Sequence, residues 1–517
     1  MPRGVAGTMR AIRRNRIQPS TAPQAVNVSA YNVSVSTIGQ TTATISWDLS
    51  TPASGRVEIG TTMALGNLTL NEPGYYSSHS QVIGDNDGYT LSPSTLYYFR
   101  VLGTAADGTS YTSPILSFTT AADVASVTYA DYDLTGVTSY GGNTIDATGV
   151  VDSTAGLNAW IAAQPNGTNA TNRARYIFPA TATYKITTGL CIGNKSYVTI
   201  WGHAATSSAW LPSNSTSYRD PGCTISFGSV VGSNVRSAFL PGHTYTSSGV
   251  VGYGKTVTDV VIQGFNINGN ASTPGIFNIS AETVSAFEVG KAVGLEITLN
   301  KAVSIPGDFV RFRGDATVCD NVNVHHNWAT TVGRNGASFV EGDTLSFDDN
   351  VIDRCGYYGF DVEPDDDTTL AYRVIDRVYV RRNRYGSFGS TSPYNGTFGA
   401  IANGTHSHVA DIVVTDNLVT GSTYGTYSTS NQDRSLTMYI GQNTSATTIG
   451  SDPRIQRVTI SRNSVSHSSG KAGPIIRAGA VDTLVVTDND SNLASGSFLD
   501  TSVFSASCSS VTNSGNV

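Results

Sequence analysis

Seven times in the second half of the chain one six-residue phrase returns: apolar, any residue, apolar, two more residues, then a slot that is usually asparagine. The copies VVIQGF, VNVHHN, LSFDDN, VYVRRN, IVVTDN, VTISRN and LVVTDN end at Phe265, Asn327, Asn350, Asn383, Asn417, Asn463 and Asn489. An earlier relative, VTIWGH, ends at His203. Alternating apolar residues describe a short strand with one face in a core. A polar residue at a fixed place after each strand describes a turn that stacks on its own copy one layer on. Short strands repeating at such periods predict a solenoid, and strands of this length a parallel β-helix.

Composition agrees. Charged residues are only 13 %, and Gly, Ser, Thr and Asn abound, as in turn-rich all-β proteins. Residues 1–22 hold Arg3, Arg10, Arg13, Arg14 and Arg16 and no acid, so an overall −7 less the arm's +5 leaves −12 on the remainder. An acidic body excludes nucleic acid as the main ligand, since phosphate binding needs a basic face. No apolar stretch of signal-peptide or membrane-spanning length is present, which predicts neither signal-dependent export nor membrane insertion. Cys191, Cys223, Cys319, Cys355 and Cys508 are odd in number and lack metal-ligand spacing, so they read as buried thiols.

Three segments follow. Residues 1–22 read as a basic flexible arm, either plainly disordered or a peptide that orders on a partner surface. Residues 23–121 read as a β-sandwich, with alternating strands at Ala43–Trp47 and Arg56–Gly60, a segment Leu91–Val101 that puts Tyr97, Phe99 and Val101 on one face, and Ser117–Thr120 closing the unit. Trp47 on an early strand, and Leu91, Pro93, Thr95 and Tyr97 before a late one, resemble a fibronectin type III domain. That resemblance implies a spacer or adhesive module and names no chemistry. Residues 125–517 read as the β-helix. Its entry has an N-cap candidate at Asp152 or Ser153, with Leu157, Trp160 and Ile161 at helical spacing, then Tyr176-Ile-Phe-Pro179, Tyr184-Lys-Ile186 and Tyr197-Val-Thr-Ile-Trp-Gly202. This order is similar to the start of the pectate-lyase-like superfamily, which includes many phage tailspikes. The resemblance implies an all-β, right-handed, single-stranded parallel β-helix whose N-terminal capping helix plugs the open end.

Asn327 and Asn350 are one solenoid turn apart, and the structural reading of the asparagines is an amide ladder at the turn. Later turns carry insertions, which in such folds cluster on one side and build a binding face. Carrying the Asn327-to-Asn350 offset forward stacks Ala337 and Phe339 on Phe360 and Val362, facing inward, and Ser338 on Asp361, facing outward with Glu363. Asp361 and Glu363 then lie roughly 6.6 Å apart along one strand face, a scale on which two carboxylates divide acid and base work on a glycosidic bond. Asp365, Asp366 and Asp367 follow at once. The cluster reads as catalytic, as a Ca²⁺ site of oxygen ligands, or as a solvated acidic edge. Tyr357, Tyr358, Trp328 and Tyr385 are candidates to stack on sugar rings, with core packing as the alternative. His325-His326 and Arg381-Arg382 form a face suited to an acidic sugar, unless the arginines neutralise Asp348 and Asp349; Arg382 is the glycan-binding candidate there. Signatures of pectate lyases and polygalacturonases are absent, so those activities are not carried over.

The arm, spacer and capped β-helix together resemble a phage virion appendage. The expectation is a tail-associated spike or minor tail protein, docked on other virion proteins through residues 1–22. It would bind host surface polysaccharide, with cleavage open, and assemble as a homotrimer. The alternatives are a free polysaccharide lyase or hydrolase and a purely structural decoration protein.

Overall fold

A computed structural model describes residues 28–72, 74–84, 89–121, 127–202, 222–228, 236–246, 251–252, 254–271, 284–312, 319–362, 373–389, 396–402, 407–420, 423–424, 438–442, 455–465, 471–472, 475–479, 481–491, 493–495, 498–501 and 508–516. The chain divides into two compact units, Met1–Ser126 and Val127–Val517.

The first unit is antiparallel. Strand Ala43–Ala53 pairs with Ala30–Ser36 on one side and Tyr76–Ile83 on the other, and a second sheet is built around Arg56–Gly60 and Leu96–Thr104. Alternation buries Ile45, Trp47, Val57, Ile59, Tyr97, Phe99 and Val101 in one core, as the pattern of the strands requires. The Trp47 indole donates to the Tyr111 hydroxyl at 3.0 Å and its ring stacks on His79 at 4.7 Å. Gly55 permits that stack, because a Cβ there would meet His79 and Trp47 ring atoms at 2.5 and 2.6 Å.

The second unit is a parallel β-helix of three sheets. One coil shows the plan. Gly342–Asp348 lies in the first sheet, Val351–Cys355 in the second and Tyr358–Val362 in the third, and Arg373–Arg381 then pairs beside Gly342–Asp348 one layer on. Each layer sends Val, Ile, Leu and Phe inward, and these fuse into one core running the length of the unit.

The turn from first to second sheet is two residues long and chemically uniform. From Leu299 on, the residue before each ladder asparagine is left-handed, with φ of 56° at Leu299, 53° at His326, 55° at Asp349 and Arg382, and 59° at Asp416. A left-handed non-glycine residue costs roughly 1–2 kcal/mol. The asparagine that follows offsets it. Asn350 donates its N–H and its amide to Asn383 Oδ1 at 2.9 and 3.1 Å, and the amide also reaches the Val324 carbonyl at 2.9 Å. The ladder so made runs through Asn300, Asn327, Asn350, Asn383, Asn417, Asn463, Asn489 and Asn516. Asn300, in LEITLN, and Asn516, in VTNSGN, are members the repeat count passes over. At Phe265 the slot is apolar, and its N–H donates to Asn300 Oδ1 at 3.1 Å, which begins the ladder. His203 lies outside the described residues.

The N-terminal helix is Thr154–Ala163, with Ser153 as N-cap and the Asp152 carboxylate taking the Thr154 N–H at 3.0 Å. Leu157, Trp160 and Ile161 are buried, with Trp160 edge-on to Tyr176 and Phe178 at 5.9 and 5.8 Å. All five cysteines are free thiols, four buried and Cys508 half-buried, and burial pushes Cys191 and Cys319 up to about 12. No described helix is long and apolar enough to cross a membrane.

From Gln263 onward the first-to-second turn never lengthens, so the insertions fall elsewhere. Connections containing 390–395 and 425–437 lead into the third sheet, and those containing 363–372, 403–406 and 443–454 lead out of it. In sequence, the insertions therefore fall both before and after third-sheet strands.

Candidate functional site

The third sheet's outer face is where polar side chains are gathered and enclosed. Strand register stacks Glu288 on Arg311, Arg311 on Ser338, Ser338 on Asp361 and Asp361 on Gly399. Their neighbours Phe312, Phe339 and Val362 point into the core, which fixes this column outward. At the corner before each strand a second column holds Asp308, Asn335 and Tyr358. The Asn335 N–H donates to Asp308 Oδ1, and the Tyr358 N–H to Asn335 Oδ1, both at 2.9 Å.

The two columns are joined by side chains. The Ser338 hydroxyl donates to Asp308 Oδ2 at 2.8 Å. The Asn335 amide donates to Ser338 Oγ at 2.8 Å and to Asp361 Oδ2 at 3.2 Å. Arg334 Nη1 pairs with Asp308 Oδ2 at 3.2 Å. Asp308 and Asn335 are 0 % exposed, Ser338 1 % and Asp361 3 %. Two carboxylates thus share one network of donors where low dielectric strengthens each bond. Enclosed, oriented carboxylates of this kind are suited to proton transfer and to holding hydroxyls.

The 23-residue offset therefore places Asp361 on Ser338 as expected, but the carboxylate is enclosed rather than solvated. There it accepts from the Asn335 amide, beside Ser338 on the neighbouring strand. Glu363, Asp365, Asp366 and Asp367 lie outside the described residues. Among the described residues no three His, Cys, Asp or Glu side chains are placed to hold a metal ion.

The aromatic candidates separate. Tyr385 alternates inward in Arg384–Gly389 and is 1 % exposed, a core residue with no face for a sugar. Tyr358 is also 1 % exposed, lying against Gly399 and Asp361, so it belongs to the network's wall. Tyr357 remains part-exposed, edge-on to Tyr358 at 4.9 Å. Trp328 is part-exposed on the second sheet, with the Lys301 amine 4.8 Å above its ring. Arg382 sits in the asparagine turn, forked onto Asp349 at 2.9 and 2.8 Å, while Arg381 forks onto Asp348. The arginines neutralise the aspartates of the preceding coil. Trp328, Arg382 and Asp361 thus lie on different parts of the coil and do not form one site.

His325 and His326 share an Nδ1 to Nδ1 contact of 2.7 Å, and His325 Nε2 meets Glu296 Oε1 at 3.0 Å. His326 is held below the ordinary histidine range by burial first and by His325 next, against opposing pulls from Asp348 and Asp349. Its folded form takes up a proton less readily than the unfolded chain, so the pair's contribution is intact above the ordinary histidine pKa and is lost as pH falls below it. The melting temperature should drop between pH 7 and pH 5, and His326→Gln should flatten that drop. An unchanged pH profile in the variant would refute this.

Asp308, Arg334 and Asn335 were not singled out from sequence. The signal existed: Asp308 to Asn335 is the same 27-residue step as Asn300 to Asn327. Different residue types at the two ends conceal it.

No family model and no curated protein matches the chain. Solved structures similar to it include a double-mutant tailspike of E. coli bacteriophage HK620, 14 % identical, with a TM-score of 0.46 over 74 % of this chain and 66 % of that one. The Streptococcus pneumoniae surface protein and adhesin PfbA is 12 % identical, with a TM-score of 0.43 over 75 % and 97 %. The family 28 exopolygalacturonase of Yersinia enterocolitica is 13 % identical, with a TM-score of 0.36 over 96 % and 99 %.

Proposed function

We propose that the β-helix engages a polysaccharide along the outer face of its third sheet, and that Asp361 takes part in cleaving it. The observation that carries this reading is the Asp308–Asn335–Ser338–Asp361 network on the outer face of that sheet. A glycan needs a long polar floor, and glycosidic cleavage needs carboxyl groups held in fixed orientation. Asp361 serves as one such group and Glu363 as its counterpart, with the wholly buried Asp308 holding the network in place.

The biological setting we propose is a virion appendage at the host surface. Its support is the similarity of the β-helix entry to the superfamily that contains phage tailspikes. Residues 1–22 dock the chain on the particle, and the N-terminal unit acts as a spacer. The Ser92 N–H bond to the Tyr97 hydroxyl at 2.8 Å supports a fibronectin type III likeness for that spacer. Homotrimer assembly multiplies weak glycan contacts.

The test uses host-envelope polysaccharide and a reducing-end assay. Asp361→Asn keeps an acceptor for the Asn335 amide, so its melting temperature should stay close to that of the parent, while cleavage falls by roughly 10²-fold or more. Full activity in Asp361→Asn would remove the residue from the reaction. Absence of both binding and cleavage in the parent would remove the glycan reading itself. Deleting residues 1–22 should abolish co-sedimentation with virions and leave glycan binding intact.

A further inference from the structure

At the capped end of the β-helix lies a cavity of about 400 Å³ between the N-terminal helix and the first coils, with the lining residue His243 placing its Nε2 3.9 Å from Glu288 at the start of the third-sheet column. Ala155, Ala159 and Ala162 line it, on the helix face turned away from the buried Leu157, Trp160 and Ile161. The opposite wall is polar, with Lys195, Tyr245 and Asn143 among its members, and no carboxylate is among the described lining residues.

Lys195 is the unusual member. It is 6 % exposed, and its amine donates to the Ala162 and Gln164 carbonyls at 3.2 and 2.6 Å at the end of the helix. The Tyr176 ring is 5.5 Å away. All these partners are neutral. Burial is the cause that pulls the amine down to about 8, and no charged side chain contributes. In an acidic protein, an enclosed ammonium without a carboxylate is an incomplete ion pair, because buried charges are ordinarily matched by an opposite charge. The cavity beside it is at the lower end of the range for ligand pockets.

We propose that this cavity binds a small organic monoanion of monosaccharide size, its carboxylate seated on Lys195 and its body against the alanine face. One ammonium matches one carboxylate. The hydroxyl and amide groups of the polar wall suit a polyhydroxyl body better than an apolar one. This site is separate from the third-sheet network and does not depend on the polysaccharide reading.

Glucuronate is the probe, glucose its neutral counterpart, and titration calorimetry on the full chain the measurement. Glucuronate should bind at pH 7 at least about tenfold more tightly than glucose. Its affinity should fall as pH rises past about 8 toward 10, because the amine then loses its proton. The other groups there do not mimic this: burial raises the Cys191 thiol to about 12 and also raises the Tyr245 and Tyr176 phenols, while the lining residue His243 is 0 % exposed and faces Glu288 at 3.9 Å. Lys195→Met should erase the preference for glucuronate over glucose. Ala159→Leu fills the cavity without touching the amine and should abolish binding, and it keeps the test decisive if the lysine variant does not fold. Polysaccharide cleavage should survive Ala159→Leu unchanged. Equal binding of glucose and glucuronate, no heat from glucuronate, or binding that survives Ala159→Leu would each overturn the proposal and leave Lys195 as a helix cap.

Discussion

Asn350→Ala should be the most destabilising single side-chain truncation in the asparagine turn, lowering the unfolding free energy by about 3–5 kcal/mol. The magnitude follows from what it orphans. The Asn327 N–H and amide lose their shared acceptor at 3.1 and 3.0 Å, and the Val324 carbonyl loses its donor at 2.9 Å. Each unsatisfied buried group costs about 1–3 kcal/mol. The left-handed Asp349 next to it then has nothing to offset its backbone strain. Asn516→Ala, at the ladder's end, orphans the equivalent Asn489 N–H and amide and Val486 carbonyl but should cost markedly less, because these surroundings are part-buried and water can reach them. Chemical denaturation of the two variants measures the contrast, and equal losses would mean that the ladder bonds are not what holds the turn.

Asp308→Ala comes second, at about 3 kcal/mol, and for a different reason. It leaves Arg334, whose side chain is only 11 % exposed, without the carboxylate at 3.2 Å, and it removes the acceptor of the Asn335 N–H and of the Ser338 hydroxyl. Breaking one side of an enclosed ion pair is costlier than the pair is worth. Asp308→Asn retains a carbonyl oxygen for those neutral donors and should recover part of the loss. If the alanine and asparagine variants melt alike, the hydrogen-bond half of this account is wrong.

The strands and the turn were legible in sequence because their causes are local. An apolar alternation, a residue able to turn left-handed and an amide that reaches one strand spacing are all contained in six residues. Asn300 went unrecognised only because Leu299 fills the left-handed position, where leucine is an unexpected tenant. The offset that stacks Asp361 on Ser338 was legible for the same reason. Enclosure was not. Whether an outward side chain meets water depends on what lies over it, and no periodicity encodes that for Asp361. Lys195 shows the limit most plainly. It meets the end of a helix more than 30 residues earlier, by a contact that only the closing of the first coils creates.

Because every asparagine turn is joined to the next by the same bonds, one coil is chemically interchangeable with another. The solenoid therefore works as a ruler graduated in steps of about 4.8 Å. Excising or duplicating a whole coil, from one asparagine to the next, changes reach while leaving cross-section and turn chemistry untouched. An ancestor of this chain was free to lengthen or shorten by such steps, and to decorate the third sheet's borders coil by coil, without renegotiating the core.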